Sequence, residues 1–209
     1  MKSQVPLAIA TLVLSLADCS KSEPAKVDTA EVISNVGPPR GNIVANTSSP
    51  ATLTVTSTAF SPNGSMPVKY TCEGPGVSPP VELGGIPGGA KSIVLIVEDP
   101  DAPDPAKPTR IVSHWVTYNI PPNTSSLAEN ASKSGLPAGA EQGLNERNAV
   151  GYMGPCPPIG RHRYFFKAFA LDTVLTGLNK PKKSDVEAAM KGHVVGSGEL
   201  VGTYQKTKK

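Results

Sequence analysis

Two short segments of this 209-residue chain set side chains capable of proton transfer or anion binding beside rigid turns. One is Glu98-Asp99-Pro100-Asp101-Ala102-Pro103, with Ser113-His114-Trp115 a little further on. The other is Gly154-Pro155-Cys156-Pro157-Pro158-Ile159-Gly160-Arg161-His162-Arg163-Tyr164-Phe165-Phe166. The prolines fix their own φ and stiffen both turns. His162 and Tyr164 are two apart, so on a strand they share a face, and Arg161 with Arg163 take the other and read as surface charges. An imidazole and a phenol can donate to an anion with several acceptor oxygens, such as a phosphate, and such charge-assisted bonds are about twice as strong as neutral ones. Asp99 can accept from an imidazole and fix its tautomer, or cap its own turn. Asp101 reads equally well as a pocket residue or a turn cap. His114 lies in an apolar run, where a histidine is more often a satisfied core residue. Because a carboxylate beside a phosphate repels it unless an imidazole between them is protonated, anion affinity is expected to fall as pH rises through roughly 6.5.

The same groups suffice for acid–base catalysis, but an activated nucleophile is missing from the pattern. There is no GxSxG elbow, and Cys156 lies between prolines with no reason to face His162. A binding pocket is therefore the first reading. A hydrolase using the Asp/His/His/Tyr set is the alternative, and a surface-recognition protein with an incidental pocket is a third. Neither a cofactor nor a metal is expected: the sequence has no CxxC, and its three histidines are widely spread.

These groups need strands to hold them. Leu53-Thr54-Val55-Thr56-Ser57 alternates apolar and polar, the period of a half-wet strand. Ile93-Val94-Leu95-Ile96-Val97 is apolar without alternation and predicts a central strand covered on both faces. Further strands are predicted over 111–119, 164–171 and 200–204. A single clear helix is predicted over 183–192, with Ser184 and Glu187 as a capping box, Val186, Ala189 and Met190 as its buried stripe, and Gly192 ending it. Residues 121–153 carry no clear pattern. Many strands with one late helix predict a mainly β, β-rich α+β domain.

Several of these runs occur in the order seen in one known family. Tyr70-Thr71-Cys72-Glu73-Gly74, Ser78-Pro79-Pro80, Glu98 to Pro103, His114 to Pro121, the GPCPP…HRYFF block, Ala170-Leu171-Asp172, Gly192-His193-Val194 and Gly202-Thr203-Tyr204 together resemble the phosphatidylethanolamine-binding proteins, also called Raf-kinase-inhibitor-like proteins, in their bacterial branch. The resemblance implies a central antiparallel Greek-key sheet, a smaller second sheet and a few peripheral helices. It implies a pocket lined by Asp99, Asp101, His114, Pro157, Pro158, His162 and Tyr164, and a cis Ala102–Pro103 bond. His193 matches a family position read as structural, and in relatives the region of 121–153 passes near the pocket mouth. The implied ligands are phosphate-containing small molecules or phospholipid head groups, with some relatives also acting as inhibitor-like regulators of a partner protein.

The rest of the composition bounds these readings. A formal net charge of +3, dispersed along the chain, argues against a nucleic-acid binder. Twenty-two prolines and 20 glycines suit many short strands and turns. Lys2 followed by the apolar run Val5 to Ala17 reads as a signal peptide over 1–17, too short to cross a bilayer. Cleavage just before Cys19 would make that cysteine a lipidation site and the only membrane attachment, although Asp18 departs from the usual small residue there. The expected location is exported: periplasmic, membrane-anchored as a lipoprotein, or secreted. Residues 18–50 read as a flexible linker and 51–207 as the domain. With Cys19 set aside, Cys72 and Cys156 form an even pair in an oxidising compartment, which permits a disulfide without requiring one.

Overall fold

The computed structural model describes residues 49–207; the leader, Cys19 and all but the last two residues of the expected linker lie outside the described residues. Strands dominate, in two sheets. The larger is built on four long strands, β4 (Ser92–Ala102), β5 (Arg110–Ile120), β8 (Arg161–Leu171) and β9 (Val194–Gln205). With β1 (Ala51–Thr52) and β7 (Glu141–Gln142) its order is β1-β9-β8-β4-β5-β7. All its pairs are antiparallel except β1 with β9, which is parallel. The smaller sheet is β2 (Thr54–Thr56), β3 (Val81–Gly84) and β6 (Ser126–Leu127). Two helices, α1 (Ala131–Ser134) and α2 (Lys183–Ala189), lie outside the sheets in sequence. This is the mainly β architecture that the sequence predicts.

The unbroken apolar run of β4 has the reason expected of it. Ile93, Leu95 and Val97 enter one core, with Trp115, Phe166 and Leu200. Val94 and Ile96 enter a second, with Val116, Tyr118, Leu171, the α2 residue Val186 and Met190 at the helix end. All five β4 side chains are at most 1% exposed. Each such side chain contributes about 1.5–3 kcal/mol by leaving water, so the strand anchors both cores.

Two expectations about local structure need correction. The predicted strand over 53–57 is β2 alone, and the two residues just before that run, β1, belong to the other sheet. Thr54–Thr56 pairs with β3, whereas Ala51–Thr52 pairs with β9, and Leu53 is the crossing point with its amide on Ser197 O at 2.8 Å. Gly198 lets the chain cross there: a Cβ on it would stand 2.2 Å from the Leu53 carbonyl oxygen. At α2, the cap is not Ser184 with Glu187. The helix begins two residues earlier than that pair requires, and Asp185 Oδ2 accepts from the Lys182 amide at 2.8 Å. Glu187 instead faces Lys183 at 3.5 Å. Val186 and Met190 are buried as predicted, Ala189 is partly so, and Gly192 follows with φ +84°.

Candidate functional site

The site gathers at one end of the large sheet, where β4 runs out of apolar residues. Asp99 follows Glu98 on β4, and the β4–β5 ladder slips register between Val97 and Glu98 and again between Asp99 and Ala102. Such bulges re-aim side chains, and here they bring buried carboxylates to the sheet end. On β5, Arg110, Val112 and His114 share the face that alternation gives them, and all three line a cavity of about 210 Å³. Asp99, His162, Pro157 and Pro158 line it too, with Pro103 after a cis peptide bond. Tyr164 and Asp101 do not.

Asp99 serves both of the roles read for it. Its Oδ1 accepts from the Asp101 amide at 2.8 Å, an Asx turn, and its Oδ2 meets His162 Nδ1 at 2.7 Å. The other ring nitrogen of His162 meets the Ile159 carbonyl oxygen at 3.0 Å. The Ile159 carbonyl can only accept, so Nε2 carries a proton, and Nδ1 is engaged by the Asp99 carboxyl. His162 thus lines the cavity as expected but holds no nitrogen free to donate to an anion there. The ring is fully buried, and its hydrogen bonds are spent holding the Pro157–Gly160 turn to β4. Gly160 permits that turn, at φ +70° and where a Cβ would stand 3.0 Å from Pro105 Cγ.

His114 is placed differently. Its Nδ1 lies 2.7 Å from the Met153 carbonyl, so Nδ1 carries the proton, and the Met153 amide returns a bond to the His114 carbonyl at 2.8 Å. Its Nε2 is buried without a partner among the described residues. Burial pulls the imidazole below its ordinary value, opposed by the Met153 bond and by Asp99, so the ring is neutral near physiological pH. Any protonation of His114 is therefore displaced below the roughly 6.5 at which the expected fall in affinity is placed.

Tyr164 lies behind the wall, its ring edge-on to His114 at 5.2 Å and stacked on His162 at 6.5 Å. Burial first, then the Asp99 carboxylate, pushes its hydroxyl far above the usual phenol range, and the hydroxyl has no hydrogen-bond partner among the described residues. Asp101 turns away and is gripped by Arg163, which offers its amide, Nε and Nη2 at 2.9, 2.9 and 2.7 Å. The Arg163 bond holds the Asp101 carboxyl below its usual range against burial. Arg163 is thus a partner of the turn, not merely the surface charge read from alternation. Arg161 is exposed, with one long bond to Thr203 Oγ1, and His193 pairs with Asp172 at the surface.

The rim is fastened from the other side as well. Cys72 and Cys156 are joined as a disulfide with Cα atoms 5.4 Å apart, and the Cys72 amide donates to Pro155 O at 3.0 Å. A Cβ on Gly154 would stand 2.9 Å from the Tyr70 carbonyl, so only glycine allows the two segments to lie this close. The patternless 121–153 region supplies Glu146, Arg147 and Met153 to the cavity. Asn145 builds the turn that carries them: its Oδ1 accepts from the Arg147 and Ala149 amides, and its Nδ2 donates to Gly151 O. Arg110 and Arg147 are the residues that sequence reasoning missed. The period-two spacing of Arg110 from His114 was the available signal for one; nothing local marked the other. Neither guanidinium has a hydrogen bond or ion pair among the described residues. No group of three or more His, Cys, Asp or Glu among the described residues could hold a metal ion.

Comparison with known proteins agrees with this architecture. A model of the family described as phosphatidylethanolamine-binding protein matches residues 56–205. A UPF0098 protein of the archaeon Methanothermobacter thermautotrophicus is 48% identical over 149 residues, covering 71% of this chain and 95% of its own. One from Chlamydia trachomatis is 45% identical over 154 residues, covering 74% and 99%. Among solved structures, a putative phosphatidylethanolamine-binding protein homolog from Chlamydia trachomatis matches with a TM-score of 0.68 at 44% identity, covering 74% of this chain and 98% of its own. Escherichia coli YbcL, described as a new member of the mammalian family, matches with a TM-score of 0.67 at 30% identity, covering 74% and 99%. Relatives thus come from archaea as well as bacteria, and the matched span takes in both proline-stiffened turns, the strands that carry them and the buried Asp99–His162 pair: the chain belongs to the phosphatidylethanolamine-binding protein family.

Proposed function

We propose that this protein binds phosphate-type head groups, of a phospholipid or another phospho-ligand, in the cavity between the two proline-stiffened turns. The observation that carries the reading is the pair Arg110 and Arg147, which line the cavity with guanidinium groups uncommitted to any described residue. Guanidinium forks match phosphate oxygens two at a time. The cavity's carboxylates do not cancel them: Asp99 is matched by His162, which leaves Glu146 as the one opposing charge among the lining residues. The walls are fixed by the Asp99–His162 pair, the Cys72–Cys156 bond and the Asn145 turn, so little ordering is required on binding. The apolar leader Val5 to Ala17 supports export, with Cys19 as the candidate anchor, and a regulated partner protein is a further use consistent with family membership. We read the pocket as a binder rather than a catalyst, since the histidine nearest a carboxylate is tied at both nitrogens.

Calorimetric titration of the protein with phosphoethanolamine near pH 6 tests this. Saturable binding is expected, weakened at least tenfold in the Arg110→Ala/Arg147→Ala variant, since a hydrogen bond to a charged group is worth about 1.5–3 kcal/mol. No saturable binding, or binding indifferent to both arginines, overturns the proposal. Turnover of a phosphoester panel, lost in His162→Ala, would favour the hydrolase instead.

A further inference from the structure

Resting on that reading of the cavity, we infer that the Cys72–Cys156 bond is a site of thiol–disulfide exchange, and that its reduction frees one wall of the cavity and weakens phosphate binding. The wall is the segment 154–160, which follows the Met153 amide on His114 O and enters β8 at Arg161. Pro155, Pro157 and Pro158 have no amide hydrogen to offer. The amides of Gly154, Cys156, Ile159 and Gly160 donate to no described residue. Two carbonyls are engaged: Pro155 O accepts from the Cys72 amide at 3.0 Å, and Ile159 O meets His162 Nε2 at 3.0 Å. Cys156 stands between those two bonds, and Cys156, Pro157 and Pro158 all line the cavity. Among the described residues, the middle of this wall is therefore held by the disulfide and by the packing of the buried Pro157.

The bond is open to attack from one side. Cys72 is exposed, whereas Cys156 is half-buried in the wall. Exposed disulfides are the labile kind, because exchange depends on access to the sulfur under attack. A dithiol supplies the electrons. Its first thiolate attacks Cys72 Sγ, the sulfur–sulfur bond breaks, and the electron pair leaves on Cys156 Sγ, which takes a proton. The second thiol then displaces Cys72 from the mixed disulfide, leaving two protein thiols and the dithiol oxidised to its own cyclic disulfide. The ends of the wall stay in place. Gly154 remains seated on the Tyr70 carbonyl, and the Asp99–His162 pair still holds Ile159. Between these points the released stretch must be ordered again whenever a ligand binds. Fixing the backbone of even one residue weakens binding by roughly tenfold.

The test is calorimetric titration of the full chain with phosphoethanolamine near pH 6, oxidised and again after reduction by dithiothreitol and removal of the reagent. A thiol assay verifies the reduction, and near-ultraviolet circular dichroism verifies the fold. The expected result is binding at least tenfold weaker in the reduced protein and restored by reoxidation. Cys72→Ser/Cys156→Ser binds like the reduced protein and ignores dithiothreitol. A second readout needs no ligand: backbone order parameters at the Cys156 and Ile159 amides fall from about 0.85 to below about 0.6 on reduction, while those of β4 and β8 do not change. Unchanged affinity after verified reduction overturns the inference and leaves the phosphate pocket standing. So does a bond that resists dithiothreitol until urea unfolds the domain, or a domain that loses its fold on reduction, since the bond would then support the whole structure. If the oxidised protein binds no phosphoethanolamine, the pocket reading falls and takes the effect on affinity with it. Order parameters indifferent to reduction overturn the release of the wall in either case.

Discussion

Replacing Asp99 by alanine and by asparagine should give widely different losses of stability, because the two changes leave different atoms stranded. Asp99 is 4% exposed and holds two donors, the Asp101 amide and His162 Nδ1. Alanine removes both acceptors at once and strands the Asp101 amide and His162 Nδ1 in the interior. Breaking a buried pair in this way costs about 3–5 kcal/mol. Asparagine keeps an oxygen for the Asp101 amide and turns its NH₂ toward His162. The imidazole can answer with a bare Nδ1 that accepts from that NH₂, while Nε2 keeps its proton on the Ile159 carbonyl. The bonds all survive, and what is lost is the charge assistance of one of them, about 1–2 kcal/mol. With a urea dependence of about 2 kcal/mol per molar for a domain of this size, the midpoint should fall by roughly 1.5–2.5 M for Asp99→Ala and 0.5–1 M for Asp99→Asn. Equilibrium urea unfolding followed by near-ultraviolet circular dichroism measures both. Equal midpoints for the two variants would refute the reasoning, since they would mean that the unpaired imidazole carries no penalty.

Other consequences are open to measurement. Burial pushes the Glu98 carboxyl up, but hydrogen bonds from Lys167 and Lys183 at 2.6 and 2.5 Å outweigh it and hold the group below its ordinary value. Its contribution is therefore full above about 4.3 and drains away as pH falls through the lower, folded-state value, so wild type and Glu98→Gln should differ in melting temperature at pH 6 and converge only as acid carries the protein through that lowered value. A gap unchanged by acid would show that the lysines do not hold the charge. The Cys72–Cys156 bond spans a sequence separation of 84. On the chain-entropy account a loop of that length is worth up to about 4.5 kcal/mol, so reduction, or Cys72→Ser/Cys156→Ser, should lower the urea midpoint by more than 1 M. An unchanged midpoint after verified reduction would contradict this.

The fold was readable where burial imposes a pattern on consecutive residues. Ile93 to Val97 declared a strand covered on both faces because each residue has an apolar neighbour above or below. The period of β8 put His162 inside and Arg161 outside for the same reason. What stayed hidden depends on partners distant in sequence. Alternation over 53–57 showed a strand but could not show that the chain changes sheets at Leu53, since either sheet satisfies a half-wet strand. The same alternation turned Arg163 outward correctly and could not show that Asp101, 62 residues earlier, waits there. In the site, residue types located the pocket, but the assignment of donors depended on carbonyl oxygens. Ile159 and Met153 decide what His162 and His114 can offer, and they act through backbone atoms that every residue possesses. Arg147 reached the cavity through the turn that Asn145 ties, which left no periodic trace.

The double service of β4 has a consequence for how the molecule comes apart. Its odd-numbered residues from 93 to 97 belong to one core and its even-numbered ones to the other, so no hydrophobic layer of the domain can melt while its neighbour keeps an intact wall. A slip of one residue would send each set into the opposite core, exchanging isoleucine and leucine for valine against neighbours shaped for the other. The strand thus acts as a shared keel: its amides should be among the last to exchange with solvent and should do so together with those of β8. Asp99, at the end of that strand, would then lose its grip on His162 only when the whole domain opens.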